Sequence, residues 1–245
     1  GQPQVKKTPI YCYKTSDEYG ETDDLKCVNV PFNYGHKFAH DHDFKLVPKQ
    51  PLNISMSYTF YGELRPYQVD LMKDAKEHLD DYRSCTLFLH PGAGKTVLGA
   101  YLGSYTKTRI IIIIHRDNLV IQWIKTFINL TDAKIFVVGD VKKGTVDNIE
   151  EANVVICMNQ RISKLDRESL LNLQTVIIDE AHSFCSPTRI IELLQLKPRF
   201  LILATATPDK LNGTGSILTL LAGDHMVYKP YSGNFEVKIV HTGIT

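Results

Sequence analysis

Five consecutive isoleucines, Ile110 to Ile114, constrain this chain more than any other feature. A run so uniformly apolar leaves no face for water, so as a strand it must be covered on both sides, the condition of a parallel sheet flanked by helices. It falls far short of the roughly 20 residues that a membrane helix needs. The run lies within 109–115, and comparable apolar stretches recur at 86–90, 134–138, 153–158, 175–178 and 199–204. Segments of helical period lie between or beside them at 66–80, 95–105, 117–129 and 189–194. This alternation predicts a doubly wound α/β domain, its mainly parallel sheet sandwiched by helices and connected by right-handed crossovers.

The first 57 residues have a different texture. They are polar and punctuated by Pro3, Pro9, Pro31, Pro48 and Pro51, which predicts a small irregular or β-rich appendage whose one orderly piece is a short strand through Val28 and Val30, ended by Pro31. His36, His40 and His42, with Asp41 and Asp43, match no common zinc spacing and read as a solvated polar turn. The chain carries 28 basic and 27 acidic residues, a formal net charge of +1, so any surface for a polyanion must be local. Cys12, Cys27, Cys85, Cys157 and Cys185 form no CxxC pair, and their odd number suits reduced thiols in an intracellular setting, nuclear or cytoplasmic. No signal-peptide pattern opens the chain, so a soluble protein without membrane contact is expected.

Chemistry enters at His90-Pro91-Gly92-Ala93-Gly94-Lys95-Thr96, where an apolar strand gives way to a helix. Backbone N–H groups in such a loop, with the helix N-terminus behind them, wrap a polyphosphate, and glycines permit the close approach. Lys95 is expected to reach the β- and γ-phosphates, and the Thr96 hydroxyl to ligate Mg²⁺. The general pattern asks for glycine at position 89, where this chain has Leu89.

Asp179-Glu180-Ala181-His182 follows the apolar run 175–178, so its carboxylates are expected at the strand ends where α/β sheets bind ligands. Asp179 is assigned to Mg²⁺, and Glu180 to orienting and deprotonating the attacking water. The long separation from Lys95 leaves room for two or three βα units, which is expected to bring the Lys95 and Asp179 strands side by side. Ala204-Thr205-Ala206-Thr207-Pro208 follows the last apolar run, and its hydroxyls are expected to bond His182 and couple the phosphate site to a nucleic-acid face. The tetrad lacks the second histidine of H-E-x-x-H, which excludes a zinc-protease reading.

The ordered set Leu64-Arg65-Pro66-Tyr67-Gln68, residues 92–96, residues 179–182 and Thr205-Ala206-Thr207-Pro208 resembles the N-terminal RecA-like domain of a superfamily-two DExH helicase over about residues 60–230. It is most similar to the XPB-like and UvsW-like group and to helicases of large DNA viruses. That group commonly varies the first loop glycine. The resemblance implies an organisation of appendage (1–57), ATP-binding domain (58–230) and the start of a connection (231–245) to a second RecA-like domain. The chain opens on Gly1 and stops soon after its last motif, so it is expected to be part of a longer product, weakly active by itself.

Further roles come with the resemblance. ATP and Mg²⁺ are the implied cofactors. Gln68 corresponds to an adenine-reading glutamine, with Arg65 nearby and Phe60 or Tyr61 as the stacking partner. Pro91, Gly92, Ala93, Gly94, Lys95 and Thr96 hold the phosphates. His115-Arg116-Asp117-Asn118-Leu119-Val120-Ile121-Gln122-Trp123 corresponds to a segment whose loop touches the phosphodiester backbone, making Arg116 the phosphate contact and Trp123 a core residue. Gln160 and Arg161 sit in a later strand-end loop with the same expected role. The nucleic acid is DNA in preference to RNA, and a non-unwinding duplex translocase or a catalytically inactive binding module are the alternatives.

Overall fold

A computed structural model describes residues 14–16, 27–43, 56–140, 142–206 and 215–229. In chain order these form β1 (Lys14–Ser16), β2 (Cys27–Asn29), α1 (Phe32–Asp41), α2 (Pro66–Tyr82), β3 (Ser84–Leu89), α3 (Lys95–Tyr105), β4 (Ile110–Ile114), α4 (Asp117–Leu130), β5 (Ile135–Val137), β6 (Val154–Met158), α5 (Arg167–Asn172), β7 (Thr175–Asp179), α6 (Pro187–Leu193), β8 (Phe200–Thr205), α7 (Gly215–Ala222) and β9 (Met226–Lys229). Short 3-10 turns follow β6 (Asn159–Lys164) and β7 (Ala181–Phe184).

The isoleucine run sits at the middle of the sheet. Among the described residues seven strands lie in the order β5-β6-β4-β7-β8-β3-β9, and every pairing is parallel. Side chains alternate across a strand, so Ile110, Ile112 and Ile114 enter one core with Met72, Leu79, Leu98, Leu102, Trp123 and Phe127 of α2, α3 and α4. Ile111 and Ile113 enter a second core with Ile162, Phe184, Ile190, Leu193, Leu218 and Leu221. All five isoleucines are fully buried. Removing each from water contributes about 1.5–3 kcal/mol, and a charge at Ile112 would break the first core. This is the α/β domain with helices on both faces.

One expectation is corrected. The strand that leads to the Lys95 loop and the strand that ends at Asp179 are not side by side, because β8 lies between β3 and β7. All six positions of β8 are buried. A run that apolar needs cover on both faces, which a central place supplies.

The appendage departs from expectation in one place. β1 and β2 form a small antiparallel ladder, but β2 ends at Asn29, and Pro31 caps a ten-residue helix, α1, where a polar turn was expected. The histidines His36 and His40 lie on this helix, and His42 caps it. Ring pairs four residues apart explain why a polar segment is helical: Phe32 meets His36 at 4.5 Å and Phe38 meets His42 at 4.2 Å. Asn33 Nδ2 donates to the Thr219 carbonyl of α7 at 3.2 Å, tying α1 to the main domain.

Tyr58 anchors the chain's entry into that domain, its hydroxyl donating to the Ala100 carbonyl at 2.6 Å. Cys85 and Cys157 are free thiols, and burial pushes both up to about 12. Among the described residues no helix is long and apolar enough to cross a membrane, and no three His, Cys, Asp or Glu side chains group as metal ligands.

Candidate functional site

Parallel strands put all their C-terminal ends on one edge. The register aligns Phe88 with Thr205 and Asp179 with Ala204, so the loop after β3, the turn after β7 and the end of β8 meet there.

The loop after β3 is held from behind by α2. Gln68, 4% exposed, accepts a hydrogen bond from the Arg65 N–H at 2.9 Å and donates through Nε2 to the Ala93 carbonyl at 3.0 Å. The Tyr67 hydroxyl donates to the same carbonyl at 3.2 Å. Gly94 caps α3 at φ +89°, and a Cβ there would lie 2.7 Å from Gln68 Nε2, so both backbone and space demand glycine. Lys95 Nζ donates to the Leu89 carbonyl at 3.2 Å. The Leu89 side chain itself is fully buried, so position 89 serves the loop through its backbone alone. Pro91 and Gly92 form the exposed tip.

Asp179 ends β7 at 4% exposure. One carboxylate oxygen accepts the Trp123 indole N–H at 2.8 Å and the other the Glu180 backbone N–H at 2.9 Å. Burial holds its carboxyl above the usual carboxylate range, against the lowering effect of the Trp123 bond and of the Lys95 charge. Glu180 takes a left-handed backbone, φ 49°, which non-glycine residues adopt only where the surroundings impose it. That bend starts the turn Ala181–Phe184 and leaves the Glu180 side chain partly open. His182 Nδ1 lies 3.0 Å from Thr205 Oγ1 and 3.4 Å from a Glu180 carboxylate oxygen. Thr207 lies outside the described residues.

Thr96, buried on the first turn of α3, accepts a hydrogen bond from Gln122 Nε2 at 2.8 Å. Gln122 and Trp123 are the contributions that sequence reading missed. Trp123 is fully buried, as a core residue should be, and nothing in an apolar helix says that its one polar atom meets Asp179.

The loops after β4 and β6 carry the expected phosphate contacts. Arg116 and Gln160 are exposed. Arg161 donates to the Val138 carbonyl at 2.9 Å, so part of its guanidinium braces the loop after β5. His115 precedes Arg116 with Nδ1 buried and unpaired, and burial, then the Arg116 charge, lowers its pKa below the ordinary histidine value. Of the two stacking candidates, Phe60 packs edge-on against Tyr101 at 5.4 Å, while Tyr61 stays exposed with its hydroxyl donating to the Thr131 carbonyl. Arg65 is exposed beside Tyr67.

Known proteins are similar to this chain in sequence and in fold. Residues 61–210 match the family model of the type III restriction enzyme res subunit. The chain is 27% identical to putative helicase 109L of Invertebrate iridescent virus 3, over 99% of this chain and 74% of that one. Its fold is similar to the UvsW helicase from bacteriophage T4, with TM-score 0.55, 19% identity, and 82% and 79% of the two chains covered. It is also similar to the Sulfolobus solfataricus SWI2/SNF2 ATPase core in complex with dsDNA, with TM-score 0.53 and 20% identity, over 71% of this chain. The chain spans 38% of that core's length.

Proposed function

The chain belongs to the type III restriction enzyme res subunit family, its main domain being the N-terminal RecA-like domain of a superfamily-two helicase; on that premise we propose that it binds ATP with Mg²⁺ and couples ATP hydrolysis to movement on, or unwinding of, nucleic acid. The observation that carries this reading is the meeting, on one sheet edge, of the Gly94–Lys95–Thr96 loop with Asp179, Glu180 and the His182–Thr205 pair.

The donor chemistry fits. A hydroxyl on Thr96 and a carboxylate on Asp179 are hard oxygen ligands of the kind Mg²⁺ takes alongside phosphate oxygens and water. When bound, Mg²⁺ neutralises charge that develops on the transferring phosphoryl group. Lys95 exchanges the Leu89 carbonyl for phosphate oxygens, and Glu180 orients a water and takes its proton. His182 carries the state of Glu180 to Thr205 at the end of β8. Pro91, Gly92, Ala93 and Gly94 wrap the phosphates, while Arg65 and Gln68 flank the base. Arg116, Gln160 and Arg161 supply backbone contacts, so affinity for nucleic acid is modest and falls steeply with salt. DNA is the preferred track, in keeping with the dsDNA complex of the SWI2/SNF2 core. A second RecA-like domain closes over the nucleotide in the working protein.

The test is the ATPase rate of the full-length protein with single-stranded DNA, double-stranded DNA and RNA. Stimulation by DNA, lost in Glu180→Gln, supports the reading, and a rate indifferent to every polymer overturns it. Strand-displacement and triplex-displacement assays then separate unwinding from translocation.

A further inference from the structure

Two consecutive residues of α4 reach the two candidate metal ligands. Trp123 donates its indole N–H to Asp179 Oδ2 at 2.8 Å, and Gln122 donates through Nε2 to Thr96 Oγ1 at 2.8 Å. Thr96 begins α3 and Asp179 ends β7, so α4 bridges two elements that the chain keeps far apart.

The contact with Asp179 is built deeply into the core. Trp123 is fully buried and stacks on Phe127 at 5.9 Å. Its ring edge lies so close to α3 that a Cβ on Gly99 would sit 2.7 Å from Cη2, so only glycine at position 99 admits the indole. A buried indole N–H needs an acceptor, and here that acceptor is the Asp179 carboxylate and not a backbone carbonyl. Indole offers one donor and no acceptor, so the bond has one polarity: it stabilises Asp179 as an oxygen acceptor and fixes its rotation. The second carboxylate oxygen takes the Glu180 N–H at 2.9 Å. Each oxygen therefore keeps a lone pair for a cation. Thr96 is held in the same manner, since the amide of Gln122 occupies one lone pair of its hydroxyl and leaves the other. Gln122 itself is exposed, so this grip is not a packing necessity.

We infer that Gln122 and Trp123 are positioning residues of the divalent-metal site, orienting the Thr96 hydroxyl and the Asp179 carboxylate so that both take one Mg²⁺. The inference rests on the reading that these two residues hold the metal. Groups that orient metal ligands typically carry about 10- to 100-fold in metal affinity.

Trp123 is the single tryptophan of the chain, so tryptophan emission reports on the surroundings of this one indole. The measurement is ADP binding by calorimetry at graded Mg²⁺ on the full chain, with tryptophan emission followed in parallel. In the wild type, Mg²⁺ added to the ADP-bound protein shifts the emission, and EDTA reverses the shift. Trp123→Phe and Gln122→Leu each raise the Mg²⁺ concentration needed for tight ADP binding by about 10-fold, with metal-free ADP affinity unchanged. A purely structural role would instead lower the melting temperature of Trp123→Phe and leave its Mg²⁺ dependence where it was, which overturns the inference. So does a wild type that binds Mg²⁺ and ADP by calorimetry with no change in emission. If Trp123→Phe does not fold, Gln122→Leu, at an exposed position, decides the matter. A wild type whose ADP binding ignores Mg²⁺ defeats the metal-site reading itself, an outcome distinct from wild-type Mg²⁺ dependence that both variants retain.

Discussion

His182 Nδ1 lies 3.0 Å from the hydroxyl oxygen of Thr205, joining the turn after β7 to the end of β8. Thr205 is fully buried, so its hydroxyl is held in one place by the sheet. Thr205→Val keeps the side-chain shape and removes the hydroxyl. The expected outcome is unchanged ADP affinity by calorimetry and a several-fold loss of nucleic-acid stimulation of ATP hydrolysis, in keeping with about 0.5–1.5 kcal/mol for one hydrogen bond.

Glu180 is held by a strained backbone but keeps its side chain partly open to solvent. Glu180→Gln preserves shape while removing the carboxylate proposed to take the water's proton. ATP hydrolysis by the full-length protein is expected to fall about 10²- to 10⁴-fold, with ATP binding retained, as read by turnover and calorimetry together.

Gly94 is irreplaceable on two counts, its φ of +89° and the 2.7 Å approach of Gln68 Nε2. Gly94→Ala must strain the backbone, by about 1–3 kcal/mol, and push Gln68 from the Ala93 carbonyl. A lower melting temperature and at least tenfold weaker ADP binding are expected, and unchanged ADP affinity would show that the loop geometry is not needed for the nucleotide.

Arg116 is exposed at the start of α4. Arg116→Ala is expected to weaken single-stranded DNA binding to a similar degree for every sequence, and to reduce the salt slope of log K by about 0.7–1. Fluorescence anisotropy across a salt series measures both. A sequence-dependent loss would assign Arg116 to base reading instead.

Three histidines give the fold an acid-side limit. Burial lowers the pKa of His36, His115 and His225, with the charges of Arg83, Arg116 and His78 adding to the respective shifts. Each is therefore neutral in the folded state where the unfolded chain would take a proton. Their contribution is fully present above the unfolded value of about 6.5 and is lost as pH falls through that value toward the lowered folded ones. Urea unfolding should show stability declining from pH 7 toward pH 5. His225→Phe, which keeps the 3.6 Å stack on Tyr82, should flatten part of that decline.

The sheet strands from β3 to β8 were legible because nearly every position in them is buried: runs such as Ile110–Ile114 have no polar position to disguise them. α2, α3 and α4 were legible from period and flanking residues, and α3 begins at Lys95 as the loop chemistry requires. What escaped was marginal by composition. β9 is an edge strand with only Val227 buried, so its sequence carries no apolar run. The helix α1 buries only Ala39, and its ring pairs and its docking on α7 stand in for an apolar stripe.

By itself the sequence located the candidate residues at the strand ends: a glycine loop with Lys95 and Thr96, the Asp179–Glu180 pair, and the Thr205 hydroxyl at the end of β8. Residue type and local order dictate these, since a phosphate-wrapping turn and a strand-end carboxylate are short-range features. Tertiary structure alone decided that β8 stands between β3 and β7, and that Trp123 and Gln122 hold Asp179 and Thr96. Strand order and side-chain partnership depend on how whole faces pack, and an indole N–H is silent in sequence until the fold brings a carboxylate to it.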